Sequence, residues 1–192
     1  IVAKAYRSES ALVNFSNGIA IAKEIGNEKL VYDAYQKNVM IASTNGMNEI
    51  ALLYSIRAYQ FIRDNNLQAV GRTLSAIGYN LSALGHMEES GEFYERAIKV
   101  FYQLQLPEDI AEVCYNYSMT KMAQQQYAIA EEQLQIAIKI IDKLHLNSLR
   151  VANLAKLYGM QALLSTLQGN HLDAERYLLS CHQFLSSILD KQ

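Results

Sequence analysis

Ser118-Met119-Thr120-Lys121 is the string in this chain that most directly suggests a reaction. It matches the Ser-x-x-Lys pattern in which a serine is the acylated nucleophile. The Ser-Asp-Asn and Lys-Thr-Gly strings that complete such a site are absent, and Ser118 falls where a packed helix needs a small residue. Four histidines, His86, His145, His171 and His182, are the other chemistry-bearing candidates, and no two of them stand four residues apart as a helical metal site requires. Asn14, Asn80 and Asn116 each begin an Asn-x-Ser string, but glycosylation needs an exposed loop and all three lie in helical stretches. Gly71, Gly78, Gly85 and Gly91 are spaced too widely to cradle a phosphate, and Gly78 reads better as a close-packing position. The residues therefore predict no catalytic, cofactor or metal site and a protein that is not an enzyme.

The elements that carry these residues repeat. Four blocks can be aligned: Ala51 to Ala58, Ser90 to Ala97, Ala130 to Ala137 and Ala174 to Cys181. Each begins and ends on a small residue with aliphatic or aromatic residues between, and their last residues are spaced by 39, 40 and 44. A period in this range belongs to stacked repeat arrays, in which each unit packs only on its neighbours. Turn signals recur between the apolar-periodic stretches, at Gly26-Asn27, Asn45-Gly46, Asn65-Asn66, Gly85-His86, Leu106-Pro107, Leu146-Asn147-Ser148 and Gly169-Asn170. Gly46, Gly85 and Gly169 each stand five residues before a block, where a left-handed residue can end one helix and let the next begin. Pro107, followed by Glu108 and Asp109, opens a helix. The spacing predicts helices over 1–25, 28–44, 47–64, 68–84, 88–104, 108–125, 127–144, 148–168 and 171–189.

Composition agrees with this plan. The chain has 192 residues, 51 % of them hydrophobic, with one proline and 9 glycines, which favours helix nearly throughout. A net charge of -2 with no cluster of Lys and Arg predicts no nucleic-acid partner, and no apolar run reaches the length of a membrane span. Cys114 and Cys181 are lone thiols at small-residue helix positions, read as packing residues in a reducing, cytoplasmic setting. No linker-like stretch divides the chain, so residues 1–192 are expected to form one repeat domain. The start at Ile1 without an initiator methionine suggests a fragment of a longer protein.

Several strings resemble the tetratricopeptide repeat family. Cys114-Tyr115-Asn116-Tyr117-Ser118 stands where that family's first helix reads Trp-Tyr-Asn-Leu-Gly, and Leu74-Ser75-Ala76-Ile77-Gly78 holds the same positions one repeat earlier. Leu84 to Ser90 and Leu167 to Ala174 look like its turn into the second helix. The repeats are longer than the family's usual length, and only Pro107 matches its closing proline. Lengthened repeats of this kind are similar to those of bacterial peptide-pheromone receptors of the Rap and PlcR type and to sensor regions ahead of GGDEF output domains. The resemblance implies an all-α, right-handed α-α superhelix, a tetratricopeptide-like solenoid of about four to five helical hairpins.

It also implies a concave face lined by first helices that binds a protein or peptide. Projected onto this sequence, that face holds Gln36, Met40, Arg72, Ser75, Tyr79, Glu112, Tyr115, Asn116, Met119, Met122, Lys156 and Leu163. Asparagine can bond both peptide N–H and C=O, tyrosines offer rigid faces, and methionines adapt in shape. The expected function is a non-catalytic binding module, the sensory or scaffolding region of a bacterial signalling protein. One alternative is self-association into a homodimer, or contact with a downstream domain, through the last helix. There Ala174, Tyr177, Leu178, Cys181, Phe184, Leu185 and Ile188 fill one broad face, with Leu179 and Leu189 beside it; Leu179, Phe184 and Leu189 are the candidate contacts. A second alternative, carried by the resemblance, is a regulatory domain attached to a GGDEF diguanylate cyclase or assisting dephosphorylation of a partner.

Overall fold

The computed structural model describes residues 2–62, 66–144 and 148–189, and their side chains except at 2–9, 11, 12, 15, 148 and 187–189. Among the described residues the chain is helical hairpins joined by short turns. The helices are α1 (Val2–Glu24), α2 (Glu28–Thr44), α3 (Asn48–Ile62), α4 (Leu67–Ala83), α5 (Met87–Gln103), α6 (Pro107–Ala123), α7 (Tyr127–Asp142), α8 (Ser148–Leu167) and α9 (His171–Leu189). Residues 63–65 and 145–147, which held the expected end of one helix, His145 and parts of two turn signals, lie outside the described residues. The chain divides into two compact units, Ile1–Val100 and Phe101–Gln192, and the division falls inside α5, where the sequence has no linker to mark it.

The turns share one chemistry. After α2 the Gly46 N–H donates to the Ser43 carbonyl at 3.1 Å and the Met47 N–H to the Ala42 carbonyl at 2.9 Å. This pair of hydrogen bonds to the last carbonyls needs a left-handed residue at its centre, and Gly46 has φ of 73°. The same pair of bonds follows α5 and α6, but there the left-handed residues are Gln105 (φ 55°) and Gln125 (φ 60°). These two turns carry a steric cost that glycine avoids. Asn27 and Asn66 cap α2 and α4, each side-chain oxygen accepting a backbone N–H at 3.0 Å. Pro107 occupies the first turn of α6, where its missing N–H costs nothing.

In the first unit, helices one hairpin apart are stitched by side chains. Among second helices, Ser16 bonds Tyr54 at 2.7 Å and Arg96 donates to the Tyr59 hydroxyl at 2.8 Å. Among first helices, Gln36 donates to Thr73 at 3.2 Å and Ser43 to Asn80 at 3.0 Å. Asn80 is fully buried, and its amide also donates to the Ala76 carbonyl at 2.8 Å and reaches Ser55 on α3 at 3.5 Å. It has no surface to offer a glycosyl group. The apolar filling around these bonds includes Ile19, Ala22, Val31, Ala34, Tyr35 and Ala58.

The repeated small residues explain the close helix packing. Ala51, Ala58, Ser90, Ala97, Ala130 and Ala137 are all 0 % exposed. Between α4 and α5, Ser90 donates to the Gly78 carbonyl at 2.8 Å, and a Cβ on Gly78 would stand 3.1 Å from the Tyr94 ring.

The second unit pairs α6 with α7 and α8 with α9, and α7 packs on α8. Arg150, at the start of α8, donates to the Ile141 and Asp142 carbonyls at 3.1 and 2.7 Å and pairs with the Asp142 carboxylate at 2.7 Å. It thereby caps the C-terminus of α7. On the α8–α9 side Tyr158 stacks on Phe184, with ring centroids 5.6 Å apart. Phe184 is thus committed within the unit and is not an open contact residue. Leu178 and Leu185, on the broad apolar face expected of α9, are 56 % and 48 % exposed.

Candidate functional site

The Ser-x-x-Lys string carries no open nucleophile. Ser118 is 0 % exposed and its hydroxyl is donated to the Tyr115 carbonyl at 2.6 Å, an ordinary back-bond within a helix. Lys121 is buried with its ammonium 5.4 Å from the Tyr117 ring centroid. The described histidines do not converge: His86 lies 3.8 Å from Glu89 on the surface, and His182 sits near Ser186 on α9. Burial pushes the Cys114 thiol up to about 12, so it is a packing group and not a reactive one.

The first-helix residues are arranged as follows. In the first unit Met40 and Tyr79 are 52 % and 42 % exposed, Arg72 is exposed and Ser75 half-buried. Gln36 is half-buried and spends its amide on Thr73. Thr73 also bonds Tyr32, whose hydroxyl is pushed above its ordinary pKa by burial, against that bond and the Arg72 charge. This face is tied together by its own side chains.

The second unit brings its candidates into contact. Glu112, Tyr115, Asn116 and Met119 share one face of α6, following the helical spacing of three, four and seven. Glu112 is exposed and the other three are half-buried. From α8, the Lys156 ammonium stands 3.6 Å from the centroid of the Tyr115 ring. Burial lowers the pKa of Lys156, while the Glu112 carboxylate raises it less strongly; burial also raises Tyr115. The ammonium is therefore partly stripped of water and balanced by a ring face and a nearby negative charge.

That contact joins α6 and α8 at Tyr115 and Lys156. Met119 follows Tyr115 by four residues on α6, as Met160 follows Lys156 on α8, and Leu163 lies about one turn beyond Met160. Met160 is half-buried and Leu163 is 48 % exposed, so a polar end around Glu112 and Lys156 grades into an apolar end. Met160 was not singled out from the sequence, although its position four residues after Lys156 places it on the same helix face. Met122 departs from expectation. It is 8 % exposed, because α6 is covered on most of its circumference and the open strip is too narrow to include it. Of the proposed self-association residues, Leu179 is 59 % exposed, Phe184 is stacked on Tyr158, and the Leu189 side chain lies outside the described residues.

No helix among the described residues is long and apolar enough to cross a membrane. No protein-family model matches the chain, and no curated protein does. Solved structures do. The chain is similar to a putative kinesin light chain with tetratricopeptide-like repeats from Podosopora anserina, at 14 % identity and TM-score 0.74, covering 97 % of this chain and 90 % of that one. It is similar to Bacillus thuringiensis PlcR, solved with the peptide PapR7 and DNA, at 16 % identity and TM-score 0.75, covering 97 % and 66 %. The apo form of RapI matches at 14 % identity and TM-score 0.68, covering 94 % and 72 %. Hairpins of paired helices, a small-residue repeat and these similarities together give the chain the all-α fold of tetratricopeptide-like repeat proteins.

Proposed function

We propose that this chain is a non-catalytic module that binds a protein or peptide through the exposed faces of its first helices. The observation that carries the reading is the face of α6 and α8. Tyr115, Asn116 and Met119 on α6 and Lys156, Met160 and Leu163 on α8 are only partly covered, Lys156 meets Tyr115, and together they combine a charge, an amide and adaptable apolar groups. The string that could have supported hydrolysis is buried. PlcR, which shares this fold, was solved with a peptide bound, in keeping with a peptide-binding region here, which we place in the sensory or scaffolding part of a bacterial signalling protein.

The test is capture from cell extract on the immobilised protein beside a Tyr115→Ala/Met119→Ala variant, read by mass spectrometry. A partner retained by the wild type and lost by the variant is expected. Equal recovery on both would refute the use of this face. A second reading, self-association through α9, is favoured by the exposure of Leu172, Leu178, Leu179 and Leu185. In that case sedimentation would reveal a concentration-dependent dimer that Leu179→Glu abolishes.

A further inference from the structure

The cation on Tyr115 is unusually placed. An ammonium interacts usefully with an aromatic face out to about 6 Å from the centroid, and Lys156 stands at 3.6 Å, directly on the ring. Glu112, one turn before Tyr115 on α6, adds a negative charge that acts on the same ammonium. The ring face and the carboxylate can together receive a cation, and the chain fills the place with its own side chain. Lys156 is exposed as a residue although its ammonium is partly covered, and its flexible four-carbon stem allows side-chain rotation alone to lift the ammonium off the ring.

We propose that the Tyr115 face beside Glu112 is a seat for a lysine side chain of a protein or peptide ligand, and that Lys156 occupies it as an internal competitor. This rests on the reading of the α6–α8 face as a binding surface and adds the charge of what binds there. Asn116 is adjacent to Tyr115 for the ligand backbone. Met119 and Met160 begin one turn along, with Leu163 beyond, so bulky apolar residues of the ligand belong roughly 6–10 Å from its lysine. That spacing fits a peptide two or three extended residues long between anchors, and it is what a free amine lacks.

The test is an NMR titration of the protein with labelled tyrosines, following the Tyr115 ring. The probes are n-butylammonium, acetate and the blocked peptide acetyl-Lys-Gly-Leu-Leu-amide. The proteins are the wild type, Lys156→Met and Lys156→Gln, with thermal melts to establish that all fold alike. In both variants butylammonium should move the ring signals saturably, with a midpoint at least about tenfold below that of the wild type. The peptide should bind tighter still, and Tyr115→Leu in the Lys156→Met background should abolish capture of it. Equal response of wild type and variants to butylammonium overturns the inference. So does acetate moving the ring in the wild type alone, since Lys156 would then be an anion receptor. Equal midpoints for butylammonium and peptide would overturn the assignment to a peptide ligand. Retention of a partner in the extract experiment alongside an unresponsive ring would sink the seat and leave the binding module standing.

Discussion

Replacing Gly78 by alanine should destabilise the protein, although alanine is the better helix former. Gly78 lies inside α4, so helix propensity alone would favour Gly78→Ala by about 1 kcal/mol. The added Cβ, however, would stand 3.1 Å from two carbons of the Tyr94 ring and 3.2 Å from the Ser90 carbonyl oxygen. Tyr94 is 1 % exposed and Ser90 0 %, so neither can swing into solvent. Relief requires α4 and α5 to separate by a few tenths of an ångström. That stretches the 2.8 Å bond from Ser90 to the Gly78 carbonyl. Overpacking of this kind costs about 1–3 kcal/mol and a weakened buried hydrogen bond about 1 kcal/mol more. Set against the gain in propensity, the net loss is about 1–3 kcal/mol. Gly18→Ala is the matched control: Gly18 lies in α1, and nothing stands within 4 Å of its added Cβ. It should gain about 0.5–1 kcal/mol from propensity alone. Urea unfolding followed by circular dichroism measures both. A Gly78→Ala protein as stable as the wild type, or more so, would refute the argument that a glycine is needed there for the close approach of α4 and α5.

Two further outcomes are expected. Gln125→Gly should raise stability by about 0.5–1 kcal/mol, because it removes the left-handed strain of a Cβ at φ 60° while costing some backbone entropy in the unfolded chain; an unchanged or lower urea midpoint would show that the turn is not strained. Iodoacetamide at about pH 8 should modify Cys181 while sparing Cys114 until denaturant is added, since burial holds the Cys114 thiol protonated far above that pH; peptide mapping that finds both modified at similar rates would contradict the buried placement.

The helix plan was legible because it is written in local signals. Asn27, Gly46, Gly85 and Pro107 each act on the residues beside them, and every predicted helix overlaps an observed one. The turns at Gln105 and Gln125 were harder to read, since no glycine marks them and glutamine accepts the left-handed conformation only at a cost the surrounding packing offsets. The binding face was legible as a helix face and not as a set of contacts. Spacing along α6 collects Glu112, Tyr115, Asn116 and Met119. It cannot reveal that Lys156, 41 residues later, comes down on Tyr115, nor that Met122 is buried because neighbouring helices cover its side of α6. Leu178 teaches the same lesson: at the register where Tyr94 and Leu134 are buried, it is open. Burial there depends on which helices are beside it and not on the repeat itself.

The bonds that stitch the first unit have a consequence for how it is made. Ser16 to Tyr54 spans 38 residues, and Gln36 to Thr73, Ser43 to Asn80 and Tyr59 to Arg96 each span 37. Every such partner arrives one hairpin after its mate. At ribosomal rates of about 5–20 residues per second, the wait between the two is roughly 2–8 s. A chain emerging from the ribosome can therefore close each layer on the one before it, without holding apolar surface open for a distant C-terminal strand or helix. Low contact order of this kind favours rapid folding and short exposure to aggregation.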